Sequence, residues 1–420
     1  MEQITKPHCG ARLDRLPDCR WHSSMFAIVA FGLLVCWSNA VGGLILAQLK
    51  ALGWTDNSTT ATFSAITTAG MFLGALVGGI IGDKTGRRNA FILYEAIHIA
   101  SMVVGAFSPN MDFLIACRFV MGVGLGALLV TLFAGFTEYM PGRNRGTWSS
   151  RVSFIGNWSY PLCSLIAMGL TPLISAEWNW RVQLLIPAIL SLIATALAWR
   201  YFPESPRWLE SRGRYQEAEK VMRSIEEGVI RQTGKPLPPV VIADDGKAPQ
   251  AVPYSALLTG VLLKRVILGS CVLIAMNVVQ YTLINWLPTI FMTQGINLKD
   301  SIVLNTMSMF GAPFGIFIAM LVMDKIPRKT MGVGLLILIA VLGYIYSLQT
   351  SMLLITLIGF FLITFVYMYV CYASAVYVPE IWPTEAKLRG SGLANAVGRI
   401  SGIAAPYAVA VLLSSYGVTG

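Results

Sequence analysis

The chain has 420 residues, 55% hydrophobic and only 12% charged, with a formal net charge of +10. A mean hydropathy of +0.65 excludes an ordinary soluble globular domain and a disordered polyelectrolyte alike. The basic excess does not indicate nucleic acid. With the N-terminus on the cytoplasmic side, every Lys and Arg except Lys50, Arg118, Arg181 and Lys299 falls on cytoplasmic segments or the helix ends beside them.

A hydrocarbon core of about 30 Å takes about 20 helical residues to cross. Eleven apolar runs of that kind predict an all-α membrane protein: 23 to 48, 60 to 82, 89 to 107, 111 to 137, 148 to 172, 182 to 201, 265 to 290, 301 to 323, 331 to 348, 351 to 376 and 391 to 415. The first run is too long for a cleavable signal and follows a mixed polar stretch, so it is expected to remain as a span. That polar stretch holds His8, Cys9, Cys19 and His22, but the gap between the two pairs has ordinary composition, and no metal site is expected. Cys36, Cys117, Cys163, Cys271 and Cys371 lie inside predicted spans as small hydrophobes, and no disulfide is expected.

Polar groups inside apolar spans are the candidate functional residues. The first span carries Ser38 and Asn39. In the third, Glu95 and His98 lie three apart on one helical face, a carboxyl and an imidazole suited to proton exchange or, equally, to helix packing. Arg118, in the fourth, costs roughly 2.5 to 3.5 kcal/mol at membrane depth, so it is expected to face an aqueous cavity or a partner. A substrate carboxylate would suit its planar fork. The run Gly122, Gly124 and Gly126 lies within a hydrophobic helix, so it reads as close helix packing and not as a nucleotide loop. Asn157 in the fifth span, Asn277, Gln280, Tyr281, Asn285 and Trp286 in the seventh, and Tyr367 and Tyr372 in the tenth complete a set suited to a small polar or aromatic solute.

Between the sixth and seventh spans, residues 203–264 form the one long polar interruption. Ala218, Val221, Met222, Ile225 and Val229 recur at helical spacing there, predicting an amphipathic cytoplasmic helix followed by a Pro- and Gly-rich stretch. The chain thus divides into 1–202 with six spans, a connector 203–264, and 265–420 with five.

Two charge motifs repeat across that division. Asp83-Lys84-Thr85-Gly86-Arg87-Arg88 is echoed by Asp324-Lys325-Ile326-Pro327-Arg328-Lys329 (324 − 83 = 241). Glu138-Tyr139-Met140-Pro141, followed by Arg145, is echoed by Glu380-Ile381-Trp382-Pro383, followed by Arg389 (380 − 138 = 242). Unrelated motifs repeating at one spacing indicate two homologous halves. With Glu204 and Arg207 of the connector, these charges are expected to form a cytoplasmic gate.

The loop GGIIGDKTGRR is similar to the pattern G-x-x-x-D-(R/K)-x-G-R-(R/K) of the major facilitator superfamily. RFVMGVGLGALL at 118 to 129, PESPRWL at 203 to 209 and PEIWPTEAKLRGSG at 379 to 392 resemble its sugar porters and the related organic-ion and nicotinate carriers. That resemblance implies six plus six helices around a central cavity open alternately to each side, often with proton symport. The eleven predicted spans leave the twelfth apparently missing. Where sugar porters carry an aspartate in the first span this chain has Ser38, and where they carry a paired glutamine in the seventh it reads Met276-Asn277-Val278-Val279-Gln280.

The expected function is secondary active transport of a small metabolite, an organic or aromatic acid or a sugar-like compound, with protons as co-substrate and Glu95 and His98 as the coupling pair. A uniporter or exchanger of the same fold, and a non-transporting metabolite sensor, are the alternatives. No enzyme, no cofactor and no nucleic-acid partner is expected. The expected setting is a bacterial inner membrane, with a monomer in the lipid bilayer.

Overall fold

The computed structural model describes residues 7–17, 19–35, 37, 40–141, 145–240, 254–293, 295–323, 325–349, 351–382 and 386–416, and their regular structure is entirely helical. In chain order the helices are α1 (Cys9–Asp14), α2 (Arg20–Val35), α3 (Val41–Ala51), α4 (Asn57–Thr85), α5 (Arg87–Ala106), α6 (Met111–Tyr139), α7 (Arg145–Asn157), α8 (Ser159–Leu170) and α9 (Ala176–Tyr201). The connector holds α10 (Pro206–Ser211), α11 (Tyr215–Thr233) and α12 (Tyr254–Leu257). There follow α13 (Gly260–Thr293), α14 (Leu298–Met309), α15 (Gly311–Val322), α16 (Arg328–Ser347), α17 (Met352–Cys371), a π-helical turn at Tyr372–Tyr377, α18 (Val378–Glu380) and α19 (Lys387–Tyr416).

Among the described residues, nine helices are long and apolar enough to cross a membrane, against the eleven spans expected. The two expected spans outside that set, 23 to 48 and 148 to 172, are each divided, as α2 with α3 and as α7 with α8. The second division has a local cause. Pro161 has no N–H for the Asn157 carbonyl four residues back and its ring crowds that carbonyl, and Trp158 N–H bonds back only three residues, to Ile155 (3.0 Å). Leu76, Ile80, Ile189, Leu192, Val333 and Ile337 stand exposed on outer faces, the surface a bilayer would cover.

Lipid tails are as apolar as the side chains they meet, so these helices associate through close packing. Gly70 and Gly74 of α4 press on the α6 backbone: a methyl on either would overlap the carbonyl oxygen of Phe119 or Val123. Gly122 and Gly126 of α6 press back on Thr67 and Met71 in the same way. The second half repeats the contact, with Gly311 and Gly315 of α15 against the carbonyls of Phe360 and Thr364 in α17. The offset from the first half is constant (311 − 70 = 241), so the period carried by the charge motifs is also the period of backbone packing.

The connector helix α11 buries Ala218, Met222, Ile225 and Val229 as its periodicity predicts. Their partners were not legible in the sequence: α1 supplies Cys9 and Leu13, with Leu16 just beyond it, and α10 supplies Trp208 and Leu209. Arg12 makes a two-pronged pair with Glu226 (3.0 and 2.7 Å) and a further pair with Glu219, while Arg15 reaches Glu226 at 2.6 Å. Burial pushes the Glu226 carboxyl up, but the hydrogen bonds from Arg12 and Arg15 outweigh it and hold the group below its ordinary range. Residues 9–16 therefore pack with the connector.

Because Gly74 and Gly315 face backbone, which cannot rotate away, Gly74→Ala and Gly315→Ala should each destabilise the protein by about 1–3 kcal/mol. Thermal unfolding in detergent measures this. Gly79→Ala is the control, since its methyl meets nothing within 4 Å and should leave the midpoint unchanged or raise it.

Candidate functional site

A cavity of about 360 Å³ lies between the two halves of the chain. The first half contributes Leu33, Met71, Leu125 and Leu129 as apolar wall and Ser153, Asn157, Ser159 and Tyr160 as polar wall. The division between α7 and α8 places those last four side by side. From the second half come Gln280 and Tyr281 of α13, Tyr367 and Val370 of α17, Ser374 of the π-turn and Arg399 of α19. Tyr160 and Tyr367 meet edge to face across the halves, with centroids 5.4 Å apart and planes at 63°, and Gln280 lies within reach of both phenols.

Of the residues singled out in the sequence, Asn157, Gln280, Tyr281 and Tyr367 line this cavity. Arg118 does not. It is 1% exposed, its Nε donates to Thr67 Oγ1 (3.3 Å), its Nη1 contacts Met121 Sδ (3.3 Å), and its guanidinium lies 4.6 Å from the Phe63 ring centre. A methyl on Gly42 would meet Arg118 Nη2 at 2.7 Å and Asn285 Oδ1 at 3.6 Å, so both side chains belong to the packed seam between α3 and α13. Trp286 is fully buried in an apolar cluster with Ala61 and Ala410. Asn277 turns back to the Leu273 carbonyl (2.7 Å), and Tyr372 donates to the Arg328 carbonyl (2.9 Å) at the far end of its helix. Asn39 and Ser38 lie outside the described residues.

Arg399 was missed. A basic residue in the eleventh span was the available signal, but counting it with the cytoplasmic helix end hid it. It sits about 14 Å of helix rise beyond Gly390, where that apolar span begins, at ~1.5 Å per residue.

Glu95 and His98 are both fully buried, with Oε2 and Nδ1 3.4 Å apart. They lie outside the cavity wall, and the backbone of His98 packs against Gly124 of α6.

The charges of the repeated motifs assemble within each half. Arg87 bonds Glu138 (2.8 Å) and Asp83 (2.7 Å), and Ser205 Oγ bonds the same Glu138. Glu204 accepts from the backbone N–H groups of Arg87 (2.7 Å) and Arg88 (3.2 Å), a carboxylate at the N-terminus of α5 where free N–H groups and the helix dipole favour it. Gly86 makes that approach possible: its φ is 98°, and a side chain there would strike the Glu204 carboxylate. The Arg88 guanidinium bonds the Trp199 carbonyl (2.5 Å), and Arg207 reaches Asp14 (2.9 Å). In the second half Arg328 grips Glu380 with two bonds (2.9 and 3.0 Å), and Lys329 is exposed. Asp324 and the side chains of Arg145 and Arg389 lie outside the described residues.

Comparison with known proteins agrees with this architecture. The family model of the Major Facilitator Superfamily matches residues 24–406. The inner membrane metabolite transport protein YdjE of Escherichia coli is 44% identical over 420 residues, covering 99% of this chain and 92% of the relative. The niacin transporter NiaP of Acinetobacter baylyi is 25% identical over 97% of this chain and 90% of its own. Among solved structures, the inward open conformation of the xylose transporter XylE from E. coli superposes with a TM-score of 0.71 at 18% identity, covering 95% of this chain and 92% of that one. Two halves packed by the same glycine contact around a shared cavity, a family model spanning nearly the whole chain, and a metabolite carrier at 44% identity lead to one conclusion: the chain belongs to the Major Facilitator Superfamily and is a multi-pass membrane transporter, not an enzyme.

Proposed function

We propose that the chain carries a small metabolite, an organic or aromatic acid or a sugar-like compound, across a bacterial inner membrane by alternating access coupled to protons. The observation that carries this reading is the cavity itself, whose walls come from both halves, so a change in their relative tilt alters access to it. The expected units 1–202 and 265–420 are the two moving bodies, joined by 203–264. A relative that bears the name niacin transporter supports a ring-bearing acid as cargo.

The polarity of the cavity follows from its walls. Leu129 and Ser374 lie toward the ends of helices that carry the gate charges. At the opposite ends the halves are sealed, with the Asn305 amide on Ser164 Oγ (3.1 Å) and a methyl on Gly402 meeting Thr68 and the Tyr281 ring at 3.1–3.4 Å. With the N-terminus cytoplasmic, the cavity opens inward. A cysteine at Ser374, in a background freed of native cysteines, should react with a membrane-impermeant thiol reagent in inside-out vesicles and resist it in right-side-out vesicles, and the reverse pattern would invert the topology.

Proton coupling is assigned to Glu95, the one carboxylate buried inside a described span, with His98 beside it. In proteoliposomes with an inward proton gradient, Glu95→Gln should abolish accumulation above equilibrium while exchange of internal for external solute continues. Accumulation equal to wild type would remove Glu95 from the mechanism.

A further inference from the structure

We infer that Arg399 is the anion-binding residue of the central cavity and that the solute is therefore a carboxylate, a compact ring-bearing monocarboxylate in particular. This inference rests on the transporter reading and narrows its cargo.

Arg399 is the one charged side chain in the cavity wall, and no carboxylate lines that wall among the described residues. It carries no ion pair or hydrogen bond among those residues. By contrast, Arg87, Arg88, Arg207 and Arg328 each have an acid or carbonyl partner. Arg118 has Thr67 and Met121 and is shielded from the cavity. A guanidinium left without a counter-charge inside an apolar span is costly unless water or an anion reaches it. Its planar fork matches a carboxylate with two parallel hydrogen bonds.

The rest of the wall gives the anion its shape. Tyr160, Tyr281 and Tyr367 contribute aromatic rings to the wall, and Gln280 and Asn157 contribute amides. A solute with a carboxylate at one end and a flat ring at the other uses both chemistries, whereas a neutral sugar leaves the charge of Arg399 uncompensated. The volume, about 360 Å³, lies at the lower end of the roughly 300–1,000 Å³ typical of small-molecule pockets, which favours a single ring over a larger conjugate.

The test compares isosteric acids and amides. Purified full-length protein is titrated calorimetrically with benzoate and nicotinate, and with benzamide and nicotinamide. Wild type should bind at least one acid about tenfold or more tightly than its amide. In Arg399→Gln, affinity for that acid should fall by roughly 10- to 100-fold, the factor expected of one charge-assisted pair, with the amide little changed. Arg399→Lys should fall between, because an ammonium keeps the charge and loses the fork.

Equal binding of acid and amide by wild type overturns the inference, as does full acid affinity in a folded Arg399→Gln protein. If Arg399→Gln does not fold, the wild-type acid-to-amide ratio and the lysine variant decide. Wild type that takes up D-xylose but binds no carboxylate overturns the inference and leaves the transporter reading standing. Carboxylate binding that depends on Arg399 but produces no flux in proteoliposomes does the reverse.

Discussion

The backbone contact between α4 and α6, and its copy between α15 and α17, is the constraint on which the rest of the molecule depends. Inside a bilayer no hydrophobic gain draws helices together, so association relies on how closely two backbones approach. Glycine at 70, 74, 122 and 126 removes every atom that would hold them apart, and glycine at 311 and 315 does the same 241 residues later. Those pairs act as rigid ribs. The opposite faces of the ribs are then free to carry other work, and α4 meets α19 across the halves while α15 meets α7.

Charge is handled by the same economy of position. Arg118 lies inside a seam against a hydroxyl, a thioether and an aromatic face. At the helix ends that carry the repeated charge motifs, carboxylates pair with Arg87 and Arg328 and the connector supplies Glu204 to a helix terminus. Each exposed pair is worth at most about 1 kcal/mol, so what these contacts contribute comes from the assembled network.

Much of the fold was legible because its signals are long and periodic: apolar runs, the amphipathic face of α11 and the repeated charge motifs. The site was less legible, for a geometric reason. Depth in the membrane follows from position along a span, but direction around the helix depends on which neighbour packs where. Gln280 and Tyr281 face the cavity, whereas Asn277 in the same helix bonds its own backbone and Asn285 joins the Arg118 seam. The short helix α1 has too few residues for a period and is held by Arg12 and Arg15 reaching across more than 200 positions in sequence, contacts no local pattern displays. The division at Trp158 has a local cause, Pro161, whose missing N–H and bulky ring interrupt the ladder at the Asn157 carbonyl.

The solitary guanidinium in the cavity wall has an electrical consequence. Under the carboxylate reading inferred for Arg399, a bound monocarboxylate cancels the charge of the guanidinium, and the proton that the proposed symport carries with each anion balances the charge moved over a full cycle. Net transport is then electroneutral, so the pH difference drives accumulation and the membrane potential, worth about 2.3 kcal/mol per elementary charge for each 100 mV, adds nothing to it.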